Sequence, residues 1–116
     1  MFTRYAVYYT PAMGTPLADF GADWLGWDSA LGVARAHMPA QGVDLAQITA
    51  TPRKYGFHGT IKPPFRLAEG RSAQALQDAL QRLCGAVPCV TLEGLTVSRL
   101  GRFLALVPVG DAAALA

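Results

Sequence analysis

The chain is 116 residues long, enough for one ordinary domain and too short for two independent cores. Its 52% hydrophobic and 16% charged residues exclude a disordered polyampholyte. Ten Lys+Arg against eight Asp+Glu leave too little net charge to single out any class of partner. No run of roughly 18 apolar residues exists, so no bilayer-spanning segment is expected, and Arg4 and the tyrosines interrupt any signal-peptide core. Cys84 and Cys89 match no zinc or redox spacing, so a reduced cytoplasmic setting is the default and both read as buried thiols.

Arg4 to Tyr9 is aromatic and β-branched and ends at Thr10-Pro11, the pattern of a first strand. Thr15 before Pro16 predicts a helix N-cap with proline at the first helical position. Leu17, Phe20, Gly21, Trp24 and Leu25 then share one helical face, with Phe20, Trp24 and Trp27 read as core anchors. Leu31, Val33 and the neighbouring alanines predict a helical turn ended by Pro39, and Asp44 caps a short turn through Leu45 and Ile48. Between Pro52 and Pro63-Pro64, alternation predicts a strand over Tyr55 to Ile61. Phe57 and Ile61 would face the core, and His58, Thr60 and Lys62 the other side. Ser72 caps a helix with the stripe Leu76, Leu80, Leu83 and Cys84, stopped by Gly85. Strands over Cys89 to Val97 and Arg102 to Val109 form a hairpin through Ser98 to Gly101. The order predicts an α+β domain with helices packed on one face of an antiparallel sheet. Residues 1–110 read as one lobe. Asp111 has the look of another helix cap, so 111–116 read as the start of a connecting helix cut short.

Chemistry concentrates in one segment. No acidic residue occurs from Leu45 to Ala68, while Arg53, Lys54, His58, Lys62 and Arg66 do. On a strand, His58 and Thr60 project the same way, about 6–7 Å apart. An imidazole moves protons near neutral pH, and a hydroxyl beside it hydrogen-bonds a phosphoryl oxygen. Lys62 adds a point charge. A solvated basic surface is the plainer alternative. No Walker-type phosphate loop and no carboxylate–histidine metal cluster stand out, so no metal and no cofactor are expected.

Three stretches together resemble the phosphonate-operon-associated branch of the 2H phosphoesterase superfamily. They are Arg4-Tyr-Ala-Val-Tyr-Tyr-Thr-Pro11, Leu17-Ala-Asp-Phe-Gly-Ala-Asp-Trp-Leu-Gly-Trp-Asp28 and Thr51-Pro-Arg-Lys-Tyr-Gly-Phe-His-Gly-Thr-Ile-Lys-Pro-Pro-Phe65. Leu92-Glu-Gly-Leu and Leu100-Gly-Arg-Phe-Leu-Ala-Leu-Val-Pro108 look like the same branch. The resemblance implies one lobe of a bilobal fold in which each lobe supplies a His-x-Thr strand to a shared cleft. It implies metal-independent acid–base chemistry on cyclic phosphates or nucleotide-like phosphodiesters. His58 would be one catalytic histidine and Thr60 its phosphate-binding partner, with Arg53, Tyr55 and Lys62 as substrate contacts. Gly59 stands where alanine is more frequent, and no second His-x-Thr exists here. His37, followed by Met38-Pro39, reads as a loop or helix-end residue.

A single His58 cannot serve both the attacking and the leaving oxygen of an in-line displacement. An enzyme of this kind therefore needs a C-terminal lobe or a two-fold homodimer through the His58–Thr60 face. The alternatives are a phosphate- or nucleotide-binding module without turnover, and a structural fragment that self-associates. The expected ligand is a small phosphorylated molecule, with an RNA end as a weaker option and no membrane partner. Whether Arg4 and Tyr5 reach the cleft depends on whether the first strand lies beside that of His58.

Overall fold

The opening aromatic and β-branched residues form strand β1 (Tyr5–Tyr9) in the computed structural model, which describes residues 4–115. Helix α1 (Pro16–Leu25) follows the expected signals: the Thr15 hydroxyl accepts from the Ala18 amide at 3.3 Å, and Pro16 opens the first turn. The helix closes on Gly26, whose φ of 75° is left-handed, and its amide donates to the Ala22 carbonyl at 2.8 Å. The buried face consists of Gly21, Ala22 and Leu25. Phe20 is a correction: 43% exposed, it is no core anchor, whereas Trp24 and Trp27 are half-buried. The face turned inward is the one where the Phe57 ring lies directly against Gly21, leaving no room there for a Cβ.

The helical turn expected around Leu31 to Val33 is replaced by a small hairpin, β2 (Trp27–Asp28) paired antiparallel with β3 (Val33–Ala34). Asp28 causes it locally. Its Oδ1 accepts from the amides of Ala30 and Leu31, both at 3.0 Å, which bends the chain back on itself. Asp44 does cap the short helix α2 (Leu45–Ile48), accepting from the Gln47 amide at 3.3 Å. A 3-10 turn at Pro52–Lys54 then leads to strand β4 (Gly59–Phe65).

Strand β4 starts four residues later than alternation predicts and runs through Pro63-Pro64 instead of stopping before them. Among the described residues it pairs with β1 alone, and an edge strand tolerates prolines that cannot donate. The antiparallel register sets Tyr9 opposite Gly59 and Tyr8 opposite Thr60, then shifts so that Val7 faces Lys62, and shifts again before Tyr5 meets Phe65. The first shift is a bulge that takes in Ile61. Ile61 is accordingly 68% exposed, not core-facing as the alternation implies.

The chain divides into two compact units, one up to Ala68 and one from Glu69. The second contains helix α3 (Ala73–Ala86), capped by Ser72, and the hairpin β5 (Leu95–Leu100) and β6 (Phe103–Pro108). Leu100 pairs with Phe103, so the loop is Gly101-Arg102, tighter than expected. Helix α3 passes through Gly85 to Ala86. Its Leu76 and Leu80 are half-buried, while Leu83 is exposed. Cys84 and Cys89 are free and exposed, against the expectation of buried thiols. After Asp111, whose carboxylate accepts from the Ala113 amide at 2.9 Å, a 3-10 turn spans Ala113–Leu115. The protein is α+β, the antiparallel pairing of its described residues divided among three two-stranded ladders.

Thr15→Ala removes the α1 cap and is expected to lower stability by about 1 kcal/mol in urea unfolding. Gly26→Ala should cost more than that cap, because the new Cβ meets both the left-handed backbone and the His37 ring.

Candidate functional site

The last carbonyls of a helix need partners from outside it. For α1 these come from three distant stretches. The Leu25 carbonyl oxygen accepts from Arg53 Nε at 2.9 Å and from His37 Nε2 at 3.1 Å, with the Thr49 hydroxyl at 3.4 Å. Thr49 is 1% exposed and donates to the Leu45 carbonyl at 2.5 Å, while Arg53 Nη2 reaches its oxygen at 3.1 Å and the Ala46 carbonyl at 2.6 Å. The guanidinium also sits at the partially negative end of α1. Arg53, expected to touch substrate, is thus committed to two backbone carbonyls and a hydroxyl, and it anchors the turn that leads into Tyr55 and His58. His37 is the structural residue its sequence context implies.

His58 precedes β4 instead of lying within it. Its Nδ1 stands 2.9 Å from the Gly56 carbonyl oxygen, which can only accept, so Nδ1 carries the proton. In the neutral ring the lone pair is then on Nε2, which has no protein hydrogen-bond partner among the described residues. The imidazole stacks on Tyr8, with ring centroids 3.8 Å apart and planes 19° apart. Tyr8 is the cross-strand partner of Thr60, and directly opposed residues share a face. Thr60 therefore occupies the ribbon face on which the Tyr8–His58 pair sits. The first strand does lie beside β4, and it is Tyr8, not Arg4 or Tyr5, that meets the imidazole.

Lys62 is separated from this group by the bulge. It pairs with Val7, whose side chain points opposite to Tyr8, and its Nζ lies 4.9 Å from the Phe65 ring centroid on that other face. Strict alternation had put Lys62 beside Thr60; one inserted residue reverses the side.

His58 lines a cleft of about 260 Å3, together with Tyr8, Trp27, Tyr55 and Phe57. Thr60, Lys62 and Arg53 do not line it. The lining also includes Asp19, Asp28 and Arg35. Arg35 Nη1 is 3.3 Å from Asp19 and 3.6 Å from Asp28, and Nη2 is 2.7 Å from Asp23. Desolvation works against the Arg35 cation, but the hydrogen bond to Asp19 and the charges of Asp23 and Asp19 outweigh it and raise its pKa above the ordinary arginine value. Nothing in the spacing of these residues announced the cluster. The hairpin of β2 and β3 creates it by returning Arg35 to α1, where its amide also donates to the Gly26 carbonyl at 3.0 Å. Among the described residues, no group of three His, Cys, Asp or Glu side chains is placed to hold a metal ion. Among them, too, no helix is long and apolar enough to cross a membrane.

Residues 60–116 match the family model described as a protein of unknown function, DUF1045. The chain is 38% identical over 107 residues to the ribose 1,5-bisphosphate phosphokinase PhnN of Janthinobacterium sp. (strain Marseille), covering 90% of this chain and 24% of that protein. It is 35% identical over 106 residues to the protein of the same name from Laribacter hongkongensis (strain HLHK9), covering 91% of this chain and 26% of the relative. The chain therefore spans about a quarter of the length of the curated relatives it matches. No solved structure matches.

Thr49→Val leaves the guanidinium of Arg53 without one acceptor inside a buried polar group. We expect a loss of about 1–3 kcal/mol in denaturant unfolding. Arg53→Met should destabilise comparably and, in NMR spectra, should shift the amides of Tyr55 to His58 as well as those next to Leu25.

Proposed function

We propose that the face bearing His58 and Thr60 is one half of a metal-independent phosphodiester site, acting on a cyclic phosphate or nucleotide-like phosphodiester in phosphonate metabolism. The observation that carries this is the placement of the imidazole. Nδ1 stands against the Gly56 carbonyl, the ring is stacked on Tyr8, and Nε2 has no hydrogen-bond partner among the described residues, beside an open cleft. A fixed ring with one free basic nitrogen is what a general base requires. In this role His58 takes the proton of the attacking hydroxyl or water. Thr60 donates its hydroxyl hydrogen to a non-bridging phosphoryl oxygen. Tyr55 flanks the substrate in the cleft, Lys62 contributes long-range charge from the far face, and Arg53 acts as a positioning residue.

The leaving oxygen needs a proton from the opposite side of phosphorus, which His58 cannot reach while it serves the nucleophile. His37 cannot supply it, being bound to the Leu25 carbonyl. The second group comes either from a further lobe or from a second copy of this chain. In the first case residues 1–110 form the lobe and 111–116 begin the connection to the next. The resemblance to the phosphonate-operon-associated 2H phosphoesterases supports this reading. So do two relatives named for an activity on ribose 1,5-bisphosphate, a phosphorylated sugar. Their kinase activity is not extended to this chain, which has no G-x-x-x-x-G-K-[ST] phosphate loop. The one histidine on this face favours a second reading, a phosphate-binding module without turnover.

Where two copies pair, the wild-type chain should hydrolyse a 2′,3′-cyclic nucleotide, with the rate following the fraction of dimer and falling about 10²–10⁴-fold in His58→Ala and about a hundredfold in Thr60→Val. Binding without hydrolysis both by the dimer and by the chain with a further lobe attached would assign the face to the binding module instead.

A further inference from the structure

The acidic part of the cleft lining does not suit a phosphate. Three carboxylates surround the single guanidinium of Arg35, so the group as a whole is negative and the cation is already engaged. Elsewhere the lining mixes the rings of Tyr8, Trp27, Tyr55, Phe57 and His58 with small and polar residues. Flat aromatic surfaces and an exposed carboxylate in one cleft favour a planar heteroaromatic ring with adjacent N–H donors. At about 260 Å3 the cleft lies just below the ~300–1,000 Å3 of drug-sized ligand sites, which fits one base better than two.

We propose that this cleft is a nucleobase subsite with a preference for guanine, held by stacking against Tyr55 and read by the Asp19 carboxylate. Arg35 Nη1 donates to Asp19 Oδ1 at 3.3 Å, which fixes the carboxylate while leaving its other lone pairs to a ligand. The Watson–Crick edge of guanine carries two adjacent donors, N1–H and N2–H. A carboxylate can take both N–H groups, one on each oxygen. Adenine and cytosine place a ring acceptor beside their amino group, which the carboxylate repels, and uracil flanks its one N–H with carbonyls. Asp28 is not the reader, since its Oδ1 is occupied by the Ala30 and Leu31 amides. The Asp19 side chain is 54% exposed and Tyr55 is 65% exposed, so both are free to meet a ligand. Only the orientation of a complete substrate, with its phosphate toward His58 and Thr60, rests on the phosphodiester reading.

The test uses nucleosides without phosphate, titrated into the whole chain and followed by NMR shifts of the Trp27 indole and the Asp19 and Tyr55 amides. Guanosine should bind about tenfold more tightly than inosine, which lacks the 2-amino donor, and than uridine. Tyr55→Ala should weaken guanosine about tenfold, and Asp19→Asn should bring guanosine and inosine to equal affinity. Both side chains are exposed, so the variants keep the fold, which circular dichroism verifies. Equal affinity of the wild type for the three nucleosides, no binding at all, or shifts confined to residues outside the cleft would each overturn the proposal. Guanosine bound without hydrolysis of any cyclic phosphate, by the dimer or by the chain with a further lobe attached, would leave the subsite standing and remove the phosphodiester reading. Hydrolysis without preference among bases would do the reverse.

Discussion

The carbonyl oxygen at the end of α1 is where the first unit is tied together. Leu25 offers one oxygen, and His37, Thr49 and Arg53, brought from three separate stretches, converge on it. Buried hydrophobic side chains among the described residues are few, namely Ala22, Leu25 and Leu45. With so little apolar surface removed from water, the geometry of the connecting segments depends on this polar knot. A buried carbonyl without a donor would be costly, and here the donors are also what hold α2 and the 3-10 turn against α1. Arg53 and His58 are close neighbours along the chain, so whatever fixes the guanidinium also sets where the imidazole begins.

The ribbon of β1 and β4 decides which side chains act together. Its bulge at Ile61 places Thr60 on the side of Tyr8 and Lys62 on the side of Val7. A basic segment that looks uniform in one dimension is thereby split into two faces of different chemistry. One carries the stacked Tyr8–His58 pair and the Thr60 hydroxyl. The other carries an ammonium lying over the Phe65 ring.

The cleft beside His58 combines features that pull in different directions. Aromatic rings and the His58 imidazole share its lining with the carboxylates of Asp19 and Asp28, which repel a phosphate placed among them. The curated relatives carry about three quarters of their length outside the part that this chain matches.

The amino-acid sequence by itself determined the local elements whose signals lie within a few residues of one another. The Thr15-Pro16 start of α1, the Asp44 and Ser72 caps, the α+β class and the structural standing of His37 all come from nearest-neighbour chemistry. It also set His58 and Thr60 on one strand, by an alternation that does not extend to His58, which lies outside the strand. The sides taken by Lys62 and Ile61, the use of Arg53 as a tether and the meeting of Arg35 with Asp19 and Asp23 came only with tertiary structure. Each depends on a cross-strand register, a bulge or a helix end satisfied from far along the chain. Periodicity cannot encode such relations, because the partner that decides them is distant in sequence.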